Sequence, residues 1–319
     1  MQMMEKSTFF DFGDERGVLR ISIAVTILVA AVGIAFGLLS GSFSIVFDGI
    51  YSLVDAGMSF LALIVTRLIT SYATSQRLSP RLRKRFSMGF WHFEPILVGL
   101  NGVILISVAV YAFFNAASRL LDGGHELEFG WALLYAAVAV AVCFLMAAAE
   151  TRANRKIGSD FLRIDIKSWI MDGGITAALL VAFCLGYAVQ GTQWQWLSPY
   201  IDPGALMLVC LVIIPLPIST VRQAFSEMLL ITPASLLLHV ETVAQRFTEK
   251  YRFTSYRAYA AKVGRSTQIE LYFIVPPGSP ARAIEEWDKL RDEIGDALGE
   301  ASPDRWLTIV FTADPEWAE

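Results

Sequence analysis

SIVFDGIYSLVDAGMSF at 44–60 and RIDIKSWIMDGG at 163–174 carry one polar pattern twice: Asp48, Tyr51 and Asp55 in the first, Asp165, Ser168 and Asp172 in the second. Spacings of three and then four residues bring each triplet onto one face of a helix, so each segment presents a polar stripe within an apolar run. A carboxylate at the centre of a membrane-spanning helix costs roughly 2.5–3.5 kcal/mol to insert and usually marks an ion or proton pathway. Polar groups between membrane helices also serve as glue. Repetition of one spacing on two distant segments favours the pathway.

The surrounding composition supports a membrane setting. The 319 residues are 55% hydrophobic, with a mean hydropathy of +0.52, too apolar for an ordinary soluble domain. Runs long enough to cross about 30 Å of hydrocarbon fall near 18–40, 44–70, 93–121, 129–150, 166–190 and 203–227. The linkers after the second and fourth runs are basic, with Arg77, Arg81, Arg83, Lys84 and Arg85 in one and Arg152, Arg155, Lys156 and Arg163 in the other. The alternate loops lack Lys and Arg, which predicts cytoplasmic termini. Residues 1–17 read as a retained cytoplasmic leader. Trp194, Trp196 and Tyr200 suit an interfacial belt, Gly33, Gly37 and Gly41 a close-packing stripe, and Pro215 and Pro217 a bend or loosening of the sixth span. Cys143, Cys184 and Cys210 lie in apolar runs at unrelated spacings and read as small buried hydrophobes. No basic face suggests a nucleic-acid partner.

From residue 228 the pattern becomes that of a soluble α+β domain with a net charge of −4 over residues 228–319. An amphipathic helix through Val240, Val243 and Phe247 precedes a hairpin of Tyr256–Val263 and Ile269–Val275. A helix starting at Ser279 and Pro280, with Ile284, Trp287, Leu290, Ile294 and Leu298 on its apolar face, leads to a strand over Trp306–Phe311. The expected architecture is a six-helix, all-α transmembrane domain at 18–227, followed by a small αββαβ, ferredoxin-like cytoplasmic domain at 228–319.

The whole pattern resembles the cation diffusion facilitator family. In that resemblance Asp55 and Asp172 match the metal-binding Asp residues of the second and fifth helices, while Tyr51 and Ser168 stand where His or Asp is usual. MGFWHFEP at 88–95 is similar to the pattern that opens the family's third helix, and Asn101 falls where that helix often carries an amide. Phe86 and Phe90 occupy places where some zinc exporters have His, so an accessory linker site is not expected. The tail holds one His, His239, with Asp314 the acidic residue that matches the family's cytoplasmic metal positions. The resemblance implies a homodimer joined through that tail.

The residues' own chemistry agrees. Asp55 and Asp172 are hard oxygen donors whose two negative charges match one divalent cation, and Tyr51, Ser168 and Asn101 can add neutral oxygens. Close carboxylates repel when no cation is bound, so one is expected to hold a proton that the metal must displace. Asp48 and Asp165, two turns away along the same faces, read either as pathway stations towards the outer side and the cytoplasm or as helix-end charges. Lys167 should snorkel to the interface, and Glu94 should pair with an Arg of the linker. His92 reads as interfacial, and His125 as an outer-loop group able to meet outgoing metal.

The resulting expectation is a proton-coupled secondary antiporter that exports a divalent transition metal. It has no enzymatic role and no resident cofactor, the metal being substrate. Oxygen ligands mildly favour Mn²⁺ or Fe²⁺, with Zn²⁺, Co²⁺ and Cd²⁺ compatible. With no organellar targeting signal seen, the expected location is a bacterial inner (plasma) membrane. Two rivals remain at this point: a transport-impaired membrane metal sensor, and a proton-coupled carrier of a small organic cation.

Overall fold

The computed structural model describes residues 15–73, 84–86, 89–158, 160–299, 302 and 304–318. Most of the expected leader, three linker arginines (Arg77, Arg81 and Arg83) and Met88 of the 88–95 motif lie outside the described residues. Within them, six stretches are long and apolar enough to cross a membrane: Gly17–Ser40, Phe43–Ile69, Phe93–Leu121, Phe129–Ile157, Asp165–Val189 and Gln195–Met228.

The helices are α1 (Glu15–Ser40), α2 (Phe43–Ala73), α3 (Phe93–Leu121), α4 (Phe129–Ile157), α5 (Asp160–Val189), α6 (Ser198–Ile213) and α7 (Ile218–Met228). Between α1 and α2 the chain turns at Gly41, whose φ of +74° suits a residue without a Cβ. Gly158, left-handed at φ +70°, closes α4 by donating its N–H to the Asn154 carbonyl at 2.8 Å. Helix α4 thus runs past the expected end at 150 and carries Arg152, Arg155 and Lys156 on its last turns. The two prolines do more than bend the sixth span. Residues 214–217 form a turn held by Leu216 N–H to Ile213 and Ile218 N–H to Pro215 contacts, because Pro215 and Pro217 cannot donate to a continuing α-helical ladder.

The described chain divides into two compact units: residues up to Phe60 with Asn101–Ile218, and Leu61–Leu100 with Ser219 onward. In the first, small side chains let helices approach. Ala132, Ala136 and Ala139 of α4 pack with Ile45, Leu179 and Phe183, and Ala109, Ala112 and Ala116 of α3 pack with Phe47, Leu206 and Cys210. Two glycines of the expected stripe sit at close helix approaches, since a Cβ on Gly33 would meet the Tyr135 hydroxyl and one on Gly37 would meet Val46, whereas Gly41 serves the turn beyond the end of α1. Cys143 and Cys210 are buried, but Cys184 is exposed on the outside of α5, where a small apolar thiol suits lipid.

In the second unit, α8 (Ala234–Tyr251) precedes β1 (Ser255–Val263), β2 (Ser266–Ile274), α9 (Ile284–Ala297) and β3 (Arg305–Thr312). Strand β2 is central, antiparallel to β1 and parallel to β3, with α9 as the crossover. This is the expected αββαβ order. Phe247, Leu271, Phe273, Leu290, Ile294 and Ile309 form its core. The second helix begins later than expected. Ser279 closes a turn on the Pro276 carbonyl through both its N–H and Oγ, leaving α9 to start at Ile284, which is 73% exposed and outside the core face.

Candidate metal-binding site in the membrane helices

The site lies in the first unit, between α1, α2 and α5. Tyr51 and Asp55 are one helical turn apart on α2, and Ser168 and Asp172 are one turn apart on α5. All four line one small cavity of about 50 Å³, together with Asp165. That volume is room for an ion or a water, not for a large ligand. Asn101 of α3 donates from Nδ2 to Asp55 Oδ1 at 3.3 Å, while its own Oδ1 is buried without a hydrogen-bond partner. The amide therefore orients one carboxylate and leaves a carbonyl oxygen unused.

The sequence pattern left out the wall supplied by α1. Ser22 and Thr26, spaced four apart, also line the cavity, and the Trp169 indole N–H donates to Ser22 Oγ at 2.9 Å. Two hydroxyls at helical spacing in an apolar span were the available signal. Ser52 and Ser59 of α2 are further lining hydroxyls beside the stripe. Asp48 does not line the cavity. Seven residues from Asp55 is two turns, about 10 Å along the helix axis. Lys167 is exposed and outside the lining, in keeping with snorkelling.

Among the described residues no three His, Cys, Asp or Glu side chains assemble as a metal-holding group. The donors lining the cavity are three carboxylates, Asp55, Asp165 and Asp172, and neutral oxygens, a set suited to a hard or borderline divalent cation.

Residues 19–229 match the cation efflux transmembrane domain. The chain belongs to the cation efflux, or cation diffusion facilitator, family. It is 25% identical over 209 residues to a cadmium, cobalt and zinc/H⁺–K⁺ antiporter of Bacillus velezensis, covering 63% of this chain and 59% of that one. It is 26% identical over 221 residues to the zinc transporter ZitB of Pectobacterium atrosepticum, covering 67% and 61% respectively. The chain thus spans about three fifths of the length of these relatives.

The other expected positions of this cation efflux family member lie outside the cavity. Phe86 and Phe90 pack at 4.7 Å between ring centres in an apolar cluster with Ile69, Trp91 and Val263, which leaves no ligand chemistry at those two places. Glu94 does pair with an arginine, but the partner is Arg265 in the β1–β2 turn: Oε2 accepts from Arg265 N and Nε, each at 3.1 Å. The Glu227 carboxylate takes the neighbouring Gly264 N–H at 3.0 Å. His92 is exposed against the Phe93 ring. His125 is placed by its backbone N–H on Pro199. In the tail, His239 Nε2 lies 3.4 Å from the Leu298 carbonyl, and Asp314 Oδ1 caps the Glu316 N–H.

Proposed function

We propose that this protein is an antiporter that exports a divalent transition-metal cation from the cytoplasm in exchange for protons. Asp55 and Asp172 act as the charged ligands, and Tyr51 and Ser168 as neutral oxygen donors. The observation that carries the reading is the convergence of both polar stripes on one small cavity, with Asn101 fixing Asp55. Two carboxylates in apolar surroundings bind a metal only in their deprotonated form, so metal and proton compete for one site. If the two ligands favour conformers open to opposite sides, that competition becomes exchange across the membrane. The two relatives, a cadmium, cobalt and zinc antiporter and a zinc transporter, support metal as cargo.

The oxygen-only donor set supports a mild preference for Mn²⁺ or Fe²⁺ over Zn²⁺. A cavity of about 50 Å³ supports a metal over an organic cation. The reading includes an inner-membrane protein with cytoplasmic termini, a transport domain at 18–227 and a homodimerising domain at 228–319. The test is purified protein in liposomes under an imposed pH gradient, challenged with Mn²⁺, Fe²⁺, Co²⁺, Zn²⁺ and Cd²⁺. Metal uptake accompanied by opposite proton movement is expected. Absence of flux for every metal would leave a sensor role as the better reading.

A further inference from the structure

A cavity of about 440 Å³ lies in the second unit, between the start of α3, one side of α7 and the β1–β2 turn. Its size falls in the range of about 300–1,000 Å³ common for small-ligand sites. Both helices are span ends: α3 opens the stretch Phe93–Leu121, and α7 closes the stretch Gln195–Met228. Span ends lie at the level of lipid headgroups, which widen a bilayer from about 30 Å of hydrocarbon to about 40–45 Å in all. The apolar wall of the cavity fits that level. Val98, one turn after Glu94 on α3, lines it and is 41% exposed, so the lining continues onto apolar outer surface.

Four charged side chains, Glu94, Glu227, Lys262 and Arg265, also line it, and their signs balance. Their partners are unevenly shared. Glu227 is buried and uses both oxygens within the protein: Oε1 accepts from the Gln223 amide at 2.9 Å and Oε2 from the Gly264 N–H at 3.0 Å. Glu94 uses only Oε2, which takes both the Arg265 backbone N–H and its Nε. Among the described residues, Glu94 Oε1, the half-buried Lys262 ammonium and the two terminal nitrogens of Arg265 have no partner. The cavity therefore offers one free carboxylate acceptor beside two sets of free cationic donors, with the Glu94–Arg265 pair holding both signs in place.

We infer that this cavity binds the headgroup of a zwitterionic phospholipid with a primary ammonium, an ethanolamine phospholipid. The phosphate is held by Lys262 and by the terminal nitrogens of Arg265, whose planar fork matches phosphate oxygens. The ammonium donates to Glu94 Oε1, and the acyl chains leave over Val98. A purely basic pocket at this level selects anionic lipid. Balanced charge selects differently: an anionic headgroup leaves Glu94 Oε1 unpaired beside its phosphate, and a choline headgroup has no N–H to donate. The inference needs only the membrane setting and is independent of which ion is transported.

The experiment is native mass spectrometry of the full-length protein, purified in detergent, with dioleoyl phosphatidylethanolamine, phosphatidylglycerol or phosphatidylcholine added in turn. The ethanolamine lipid should bind about tenfold more tightly than either of the others, the effect of one hydrogen bond to a charged group. Lys262→Gln should remove that preference, and a folded variant that keeps it overturns the assignment. The ranking in the unmutated protein needs no variant. Equal binding of the three lipids, as in a nonspecific annulus, or a preference for the glycerol or choline lipid, also overturns it. Competition with inorganic phosphate and with glycerophosphoethanolamine separates a lipid from a soluble ligand: neither should displace the lipid at equal concentration, and displacement by either makes the occupant a soluble phosphate compound. If the lipid binds the monomer and is excluded from a dimer, a second copy of the chain fills the cavity and the proposal fails.

Discussion

Asp202 and Ser42, 160 residues apart, are joined by a 2.7 Å hydrogen bond in which the serine hydroxyl donates to the buried carboxylate. The other carboxylate oxygen accepts the Phe43 backbone N–H at 3.0 Å, and Ser42 Oγ in turn accepts the Ile45 N–H at 3.2 Å. Together they cap the start of α2 with a side chain from α6, satisfying helix-end donors where little water is available. The same negative charge complements the positive end of the α2 dipole. Asp202→Ala should lower thermal stability in detergent by about 1–3 kcal/mol, since it leaves buried donors unpaired. Asp202→Asn should cost less. An unchanged melting temperature for the alanine variant would show that water replaces the carboxylate.

Asp55→Asn and Asp172→Asn should each abolish metal-driven proton flux in liposomes while leaving the protein folded, because each removes a charge that metal and proton both need. Asn101→Leu should be milder. It removes the donor to Asp55 Oδ1 without removing a ligand charge, so a several-fold loss of apparent metal affinity with retained transport is expected. Asp48, outside the cavity, should tolerate Asn better than either. Normal flux in a folded Asp55 or Asp172 variant would displace the site.

How far the sequence reaches depends on where the information is local. The stripes at Asp55 and Asp172 were legible because three- and four-residue spacing within one helix fixes a common face. The αββαβ tail was legible because its apolar alternation changes period from helix to strand. Glu150 was not: a lone acidic residue at the end of an apolar run reads as a solvated helix terminus, and only the packing of α4 against α1 and α5 shows it buried beside Asp165. Asp202 failed in the same way, since its partner is 160 residues distant and nothing near it in the chain announces a cap. The start of α9 was misplaced because Ser279 and Pro280 are both acceptable helix-start residues, while the turn on Pro276 that claims Ser279 is a competing local use.

The glycine stripe makes a packing prediction. A Cβ built on Gly33 falls 2.3 Å from the Tyr135 hydroxyl oxygen and 2.8 Å from the ring carbon bearing it. Gly33→Ala should therefore force α1 and α4 apart and destabilise the protein by about 1–3 kcal/mol. The Tyr135 hydroxyl is buried without a hydrogen-bond partner, so Tyr135→Phe alone should be neutral or slightly stabilising. Combined with Gly33→Ala it should recover part of the loss, and strict additivity of the two melting-temperature changes would show that the close approach does not govern stability.

Replacing Tyr51 and Ser168 together by His should shift transport toward Zn²⁺. Zn²⁺ gains more from imidazole nitrogen in a four-coordinate site than Mn²⁺ does. Both positions line the cavity, one turn from the carboxylates, so imidazoles there can reach a shared ion. Competition between the two metals in one liposome assay reads the change directly, and an unchanged Zn²⁺-to-Mn²⁺ ratio would place these residues outside the ion's ligand set.

Residues 235–319 expressed alone should fold as a soluble domain that dimerises and binds transition metal weakly. Their core is self-contained: Phe247 of α8, Leu271 and Phe273 of β2, Ile294 of α9 and Ile309 of β3 bury one another. A unit this small buries a modest fraction of its surface, so association should add stability. His239 is the tail's single histidine and the tail has no cysteine, leaving only carboxylates, which bind a transition metal weakly when scattered over a surface. The tail also carries an acid-sensitive contact. Glu293 accepts from the Lys250 ammonium and the Tyr251 hydroxyl, and those hydrogen bonds hold its carboxyl below the usual range. A lowered folded-state value means that the contact's stabilisation is complete above the unfolded carboxyl's pKa of about 4.5 and fades as pH falls through the folded one. Because the pair is exposed, the effect should be small, visible as a slightly shallower acid-side loss of stability in Glu293→Gln. Sedimentation showing a stable monomer at high concentration, or calorimetry showing tight stoichiometric Zn²⁺ binding, would overturn the dimerising, metal-poor reading of this domain.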